Sequence, residues 1–429
     1  MKINISPSKL VYAPEMTEAV SRWGVYAIPH MWRESSGELV VRFNGEEDSA
    51  DIENMQRAPN LYFISHDNGE TWEHCPNGDK IYSISILTGI DPPYCRLKNG
   101  DTVFLKTLPD LPCITDTEYC GEFITPCKDA VVRTYRWGDI APECRKLLFG
   151  RRHGSDGNTE IFETSLDFPE RQIHVVSKSN SNGKFVKVDE YVQPFIFRRP
   201  YFSAICETKD GLVAVACGQN PNVTDKFYTE VYLLASTDGG RTWTKRATVA
   251  GGVTDVPYGY GGDGAEVSLT VDKNGDMYCV MRMDLSSDPR NDPKNIYDTM
   301  LCISRDGGFT WSEPRSVADS SVTPHIVSVG DALVLIYGRP GVHIKYSTDG
   351  GKTFSEPYTL IGKTLTEERN AGREDFDSKY GHSCSYSNTF YERISDREIL
   401  VLYNDLTYPD KNGKPTKAAL VRKIEITGY

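Results

Sequence analysis

The sequence predicts an all-β fold, a six-bladed β-propeller that occupies residues 1–429 as a single domain. Three observations lead to this prediction. An eight-residue turn recurs along the chain, a unit of two apolar runs around a glycine precedes the copies, and 36 glycines with 24 prolines indicate many tight turns. A chain of 429 residues is long for one domain, but closed all-β architectures reach this size.

The recurring turn has the pattern Ser-x-Asp-x-Gly-x-Thr-Trp, with Phe in place of Trp in the last copy. Its Asp and hydroxyl side chains are suited to bonding backbone groups across the loop, and its Gly permits a positive φ. We therefore interpret the Asp residues of this turn as structural rather than catalytic. The intact copies are Ser65–Trp72, Ser236–Trp243, Ser304–Trp311 and Ser347–Phe354, and Ser179–Phe185 is a degenerate fifth copy.

Each turn lies in a hairpin, and the apolar unit ahead of it supplies two more strands, so that a blade has four strands. Such a blade is too small to bury its own faces and must stack on its neighbours. The last unit lacks the turn and one strand, and we expect Lys9–Tyr12 to close the ring. Residues 107–178 are predicted to be an elaboration of blade two, with a separate inserted domain as the alternative.

Composition excludes several classes of protein. The net charge of −12 argues against a nucleic-acid binder and against a protein of anionic membrane surfaces, because both need a basic face. No apolar run approaches a membrane span, and the N-terminus lacks the apolar core of a signal peptide, so we expect a cytoplasmic protein. The 11 cysteines form no Cys-x-x-Cys pair and are expected to be reduced; we expect no metal or cofactor.

The innermost strands of a propeller begin around a central channel, so polar groups at those starts converge on one site. The polar residues at the predicted starts are His30, Asp91, Arg198, Arg199, Asp263, Glu266, His325, His382 and Tyr386.

At these positions the chain resembles the sialidase superfamily. Tyr26-Ala27-Ile28-Pro29 is similar to the Phe-Arg-Ile-Pro of that family, and Glu266 with Arg282 is similar to its Glu and second Arg. Arg339, eight residues ahead of Ser347, matches the third Arg, and Tyr386 matches the tyrosine nucleophile. The resemblance covers essentially the whole chain.

The resemblance implies an exo-acting, retaining glycoside hydrolase that needs no metal. Tyr386 would be the nucleophile, and since a Tyr hydroxyl has a pKa near 10, Glu266 would take its proton. A neutral nucleophile suits an anionic substrate, which a carboxylate would repel. Asp51 would be the acid/base, with Asp48 as the second choice.

The resemblance also implies a carbohydrate partner that ends in an acidic sugar, either sialic-acid-like or uronic. Arg282 and Arg339 would hold its carboxylate through charge-assisted hydrogen bonds. His30, Arg199 and His382 are predicted to lie beside the substrate. The sequence gives no indication of the oligomeric state.

One residue departs from the family pattern, because Ala27 stands where the first carboxylate-binding Arg is expected. Either another cation replaces it, for which Arg33, Arg57 and Arg198 are candidates, or the substrate differs. Loss of one charged hydrogen bond would cost on the order of 1.5–3 kcal/mol of binding.

Two other functions stay open at this stage. The first is a polysaccharide lyase, in which a Tyr or His removes the proton α to a uronate carboxylate while a cation neutralises that carboxylate. The residues of such a site would be His30, His382, Tyr386 and Arg282. The second is a non-catalytic carbohydrate-binding propeller, since a fold does not establish a function.

Overall fold

The structure of the protein is a computed structural model. The described residues are 2–14, 23–25, 29–34, 36–47, 57–81, 94–107, 123–124, 130–136, 148–153, 159–167, 172–179, 185–186, 201–219, 229–240, 242–251, 266–282, 298–320, 322–372, 385 and 389–428. They contain 30 strands and two short helices. Neither helix is long and apolar enough to cross a membrane.

In chain order the strands and helices are β1 Lys2–Ile5, β2 Lys9–Tyr12, β3 Trp23–Gly24, β4 His30–Arg33, β5 Leu39–Glu47, β6 Arg57–Ser65, β7 Glu73–His74, α1 Gly78–Ile81, β8 Tyr94–Arg96, β9 Thr102–Thr107, β10 Phe123–Ile124, β11 Ala130–Arg136, β12 Leu148–His153, β13 Thr159–Asp167, β14 Gln172–Ser179, β15 Phe185–Val186, β16 Tyr201–Thr208, β17 Gly211–Gln219, β18 Thr229–Ser236, β19 Thr242–Ala250, β20 Val267–Val271, β21 Met277–Arg282, β22 Thr299–Ser304, β23 Arg315–Ala318, β24 His325–Val329, β25 Ala332–Gly338, β26 Val342–Ser347, β27 Tyr358–Ile361, α2 Leu365–Asn370, β28 Phe390–Arg393, β29 Glu398–Pro409 and β30 Pro415–Thr427.

Most of these strands belong to sheets that are stacked as blades. One sheet holds β3 to β7, one holds β20 to β23, one holds β24 to β27, and one holds β28 to β30 with β1 and β2. An eight-stranded sheet combines β8, β9, β12 and β13 with β16 to β19. A further four-stranded sheet consists of β10, β11, β14 and β15. The prediction of an all-β propeller is confirmed.

The predicted number of blades is wrong, since the described strands form five blade sheets rather than six. The reason is a parallel pair between β13 and β19, in which Ser165–Asp167 bonds to Thr242–Thr244. This pair joins two antiparallel four-stranded units into one sheet, which therefore supplies two inner strands.

The innermost strands of the sheets run in the same direction around the ring. Between β20 and β24, Ile326 N donates to Ser268 Oγ and Ser328 N donates to Thr270 Oγ1, so the two strands advance in parallel. Strand β28 lies against β4, and β16 lies against β8 and β20. We call the end where the inner strands begin the opening end, and the end where they finish the turn end.

The ring closes between the two ends of the described chain. Strand β30 pairs with β29 on one side and with β1 and β2 on the other, and Ile3 lies opposite Ile426. The closed sheet packs on both neighbours: Val401 and Ile424 share a core with Val334 of β25, whereas residues on its other face share a core with β5.

The repeated turn makes the hydrogen bonds that its sequence predicts. In the third copy Ser304 Oγ donates to Asp306 Oδ1 at 2.8 Å and accepts from Gly308 N at 2.9 Å. Thr310 Oγ1 donates to Asp306 Oδ2 at 2.6 Å, and Trp311 Nε1 donates to Gly308 O at 3.2 Å. The aspartate therefore closes a loop at the turn end of the sheet.

Two turn glycines differ in what surrounds them, and this difference predicts their tolerance to substitution. Gly211 has φ +127° and a Cβ there would lie 2.2 Å from Ser236 O, whereas Gly275 has φ +87° with nothing within 4 Å of its Cβ position. Gly275→Ala should cost about 1–2 kcal/mol from backbone strain, and Gly211→Ala about 1–3 kcal/mol more from the clash. Urea unfolding of both variants tests this, and equal losses would contradict it.

The turn aspartates predict a dependence of stability on pH. Hydrogen bonds from the hydroxyl and backbone N–H of Thr310 hold the pKa of Asp306 well below its ordinary value. A lowered pKa in the folded state stabilises the protein above the ordinary pKa near 3.9, and this contribution is lost as the pH falls further. The unfolding midpoint of Asp306→Asn should therefore lie below that of the native chain at pH 7, with the gap narrowing below pH ~4. Thr310→Val should reproduce part of the effect; a gap that is independent of pH would refute it.

Candidate functional site

The first two predicted site residues lie on one hairpin at the opening end. Glu266 comes directly before β20 and Arg282 is the last residue of β21. Because Val267 pairs with Met281 in register, the hairpin places the next two residues side by side, and Arg282 N donates to Glu266 O at 3.0 Å.

The side chains of this pair form a half-buried ion pair. Arg282 Nη1 lies 3.0 Å from Glu266 Oε1 and 3.2 Å from Oε2, and the two side chains are 14% and 21% exposed. The backbone N–H of Thr323 also donates to Glu266 Oε2 at 2.8 Å. Thr323 has φ +48°, a left-handed conformation that is rare for a β-branched residue. The carboxylate is therefore held in one orientation by contacts from two sheets.

Arg339 lies at the same end of the neighbouring sheet. It follows β25 directly, and its side chain is buried, with 5% exposed. The residue beside Thr323, Val322, donates its backbone N–H to Gly338 O at 2.6 Å. The neighbouring residues Val322 and Thr323 therefore contact both Gly338, which precedes Arg339, and Glu266.

His325 begins β24 two residues after Thr323. Its Nε2 lies 2.7 Å from Thr389 O, and since a carbonyl only accepts, Nε2 carries the proton of the neutral ring. Burial lowers the pKa of His325 to about 4, although Thr389 and the charge of Glu266 act to raise it. At pH 7 this histidine is neutral.

A row of rings continues from His325 across the opening end. Phe390, the first residue of β28, lies edge-on to His325 at 5.7 Å and edge-on to His30 at 5.6 Å between ring centroids. Burial and the charge of Arg42 lower the pKa of His30 to about 3, so this ring is also neutral at pH 7. His30, which was predicted to lie beside the substrate, begins inner strand β4.

Arg42 is a residue that the sequence analysis missed. It lies opposite His30 in the β4–β5 pair, its side chain is buried, and Nη2 donates to Asn60 Oδ1 at 2.8 Å. The sequence signal that could have found it is a charged residue inside the apolar run Val40–Phe43. By contrast Arg33, a suggested replacement for the missing arginine, ends β4 at the turn end and donates to Gly37 O.

The other predicted site residues lie outside the described residues: Tyr386, Asp51, Arg199 and His382, together with Asp48, Ala27 and Arg198. The described neighbours of Tyr386 are anchored on both sides. Ser385 Oγ donates to Asn404 Oδ1 at 2.8 Å in a buried contact, and Thr389 O meets His325. The structure therefore brings Glu266, Arg282, Arg339 and His30 to one end of the ring, and the other assignments stay predictions.

Two family models and two sialidases match parts of the chain. Residues 197–407 match the BNR repeat-like domain family, and residues 63–74 match the BNR/Asp-box repeat. The chain is 28% identical over 168 residues to a sialidase of Micromonospora viridifaciens, and 28% identical over 163 residues to a sialidase of Bacteroides fragilis. These matches support a diverged Asp-box propeller of the sialidase superfamily.

The likeness of this Asp-box propeller to its relatives is partial. The two alignments cover 37% and 32% of the chain and only 24% and 30% of the sialidases, so they span less than a third of those relatives. A protein of unknown function from Dyadobacter fermentans has a crystal structure that matches 99% of both chains with a TM-score of 0.56. At 16% identity that likeness shows a shared fold alone.

The ion pair of the site leads to a prediction about stability. Glu266→Ala and Arg282→Ala should each cost about 1–3 kcal/mol, and a double-mutant cycle should give a coupling of about 1 kcal/mol, since the pair is half-buried. The matched control is the ion pair of Lys273 and Asp331, whose side chains are 65% and 50% exposed. Its coupling should fall below about 0.5 kcal/mol. Urea unfolding measures both cycles, and equal couplings would contradict the prediction.

Proposed function

We propose that this protein is an exo-acting glycoside hydrolase that removes a terminal acidic sugar from a glycan. The observation that carries the proposal is the convergence of Glu266 with Arg282, and of the strand that leads to Arg339, at the opening end of the ring. Membership of a superfamily of the glycoside-hydrolase type supports the same class of reaction.

The arginines supply the recognition of the acid. A guanidinium carries five N–H donors in a planar fork. Arg282 can therefore donate hydrogen bonds to Glu266 and to a substrate carboxylate at the same time. Arg339 adds a second positive charge whose side chain is already buried, so it gives up little hydration when a ligand arrives.

Glu266 supplies a base that is held in place. Tyr386 attacks the anomeric carbon while its hydroxyl proton passes to the Glu266 carboxylate, and Asp51 protonates the oxygen of the leaving glycan. Water then attacks the anomeric carbon and breaks its bond to the tyrosine oxygen. Asp51 takes a proton from that water, and Glu266 returns its proton to the tyrosine oxygen. Contacts from Arg282 and Thr323 orient the carboxylate for this task.

Arg42 offers a source of positive charge at the opening end, although Ala27 stands where the family has an arginine. Arg42 acts on this region, since its charge is one cause of the lowered pKa of His30. A positive charge from β5 therefore contributes to the potential that an acidic sugar meets at this end, without an arginine at position 27.

His30 is a poor candidate for the base of a β-elimination. A lyase base must remove a carbon-bound proton and works best with a pKa near the operating pH. The pKa of His30 is lowered to about 3, which makes this residue a weak base.

The test is incubation of the protein with sialosides and uronate oligosaccharides, read by the mass of the products. We expect a product that has gained one water, and kcat losses of about 10²–10⁴ for Glu266→Gln and Tyr386→Phe. Tyr408→Phe, in the hairpin of β29 and β30, is the matched control and should keep full activity.

Three results would overturn the proposal. Full activity of both Glu266→Gln and Tyr386→Phe would exclude the mechanism. An unsaturated product that absorbs ultraviolet light would identify a lyase. Binding of these sugars without any turnover would identify a carbohydrate-binding propeller.

A further inference from the structure

A large cavity lies at the turn end of the ring, away from the candidate site. It has a volume of about 1080 Å³ and is lined by the turns that follow β8, β16, β20 and β24 and by the third copy of the repeated turn. Glu266 precedes β20, whereas Asn274 of the cavity follows it, so the full five-residue strand separates them. At ~3.3 Å per residue this strand is ~16 Å long.

The rim of this cavity carries an exposed aromatic ring that the repeated turn does not require. Phe309 is 64% exposed. The same position of the repeated turn holds Glu70, Arg241 and Lys352 in the other three copies. Because three copies of the turn carry a charged residue there, the turn does not need an aromatic at this position. An aromatic in water at the edge of a cavity therefore calls for a role in binding.

The ring stands on a turn that is held from both sides. The guanidinium of Arg246, from β19, lies 5.0 Å from the centroid of the Phe309 ring, and its Nη1 donates to Gly307 O at 2.8 Å. On the other side Arg305 donates to Gly350 O of the next sheet at 2.8 Å and to Tyr278 Oη at 2.8 Å. These contacts fix the turn between neighbouring sheets, so a ligand would meet a preorganised platform.

The rest of the cavity carries charged side chains of both signs beside one another. Its lining includes Lys98, Lys209, Asp210, Asn274, Asp331 and Asp396. A strongly anionic ligand would meet the carboxylates, and a cationic one would meet the lysines. A ligand with many uncharged groups that both donate and accept hydrogen bonds satisfies both kinds of side chain, and hydroxyl groups have this property.

We propose that this cavity is a second carbohydrate site, which binds an uncharged oligosaccharide without cleaving it. The apolar C–H face of one sugar ring lies on the Phe309 ring, and the hydroxyl groups bond to the charged side chains of the lining. The site is independent of the reaction proposed for the opening end.

The test uses the full chain and four neutral hexasaccharides: maltohexaose, cellohexaose, mannohexaose and arabinohexaose. Saturation-transfer NMR identifies the sugar that binds, and titration calorimetry gives its Kd. We expect Phe309→Ala to weaken binding by about tenfold and to abolish transfer to the stacked ring protons. Phe309→Tyr, which keeps the platform, should bind within about threefold of the native chain.

Two controls separate this site from the rest of the protein. Tyr358→Ala removes another exposed aromatic, 39% exposed and outside the cavity, and should leave binding unchanged. Glu266→Gln should also leave it unchanged, so failure of the proposed reaction does not affect this test. Since Phe309 is exposed, its variants should keep the native unfolding midpoint. Phe309→Glu is the variant best matched to the turn, because the first copy carries a glutamate, Glu70, at the same position.

The proposal is overturned if none of the four sugars binds with a Kd below about 10 mM, the weak limit of useful affinity. It is also overturned if binding survives Phe309→Ala unchanged, or if it is lost in Glu266→Gln. Loss of binding in Glu266→Gln would show that the sugar binds at the opening end instead.

Discussion

Closure of the ring is the constraint on which the rest of the structure depends. A four-stranded blade is too small to bury its own faces, so each blade needs a neighbour on both sides. Strand β30 provides the join, because it pairs with β29 and with β1 and β2 from the other end of the described chain. Without that join, the apolar faces that hold Val334 and Val41 would each lose a partner.

Closure also gives the molecule two chemically different ends. At the turn end, short loops are specified by a repeated motif whose Ser, Asp and Thr bond to one another, so their shape is determined locally. At the opening end, the first residues of inner strands meet one another: His325, Phe390 and His30 come from three different strands. A substitution at the start of one inner strand can therefore change the chemistry of this end without changing the scaffold.

Local relations in the sequence predicted more than distant ones. The repeated turn predicted its own hydrogen bonds. The family resemblance singled out Glu266 and Arg282, and they lie side by side because one hairpin carries both. The parallel pair of β13 and β19 was not predictable, because it joins segments more than 70 residues apart and leaves no periodic pattern. Because of this pair, the described strands form five blade sheets where six blades were predicted. The bond from His325 to Thr389 spans 64 residues and was invisible for the same reason.

The proposed function needs a source of positive charge other than position 27, which holds an alanine. The energy of a charge in a site depends on its distance and on the local dielectric, and not on the strand that carries it. Strand β5 lies directly behind β4, so Arg42 can act on the opening end from the second strand of the sheet. Its charge disfavours the protonated form of His30, just as it would favour an anion in the same place. An arginine on the inner strand could make a bidentate contact with an acidic ligand. Arg42 is buried and bonded to Asn60, so it can attract such a ligand only through its charge at longer range. Such a site would hold the acid through Arg282 and Arg339 and would tolerate more variation in the sugar that carries it.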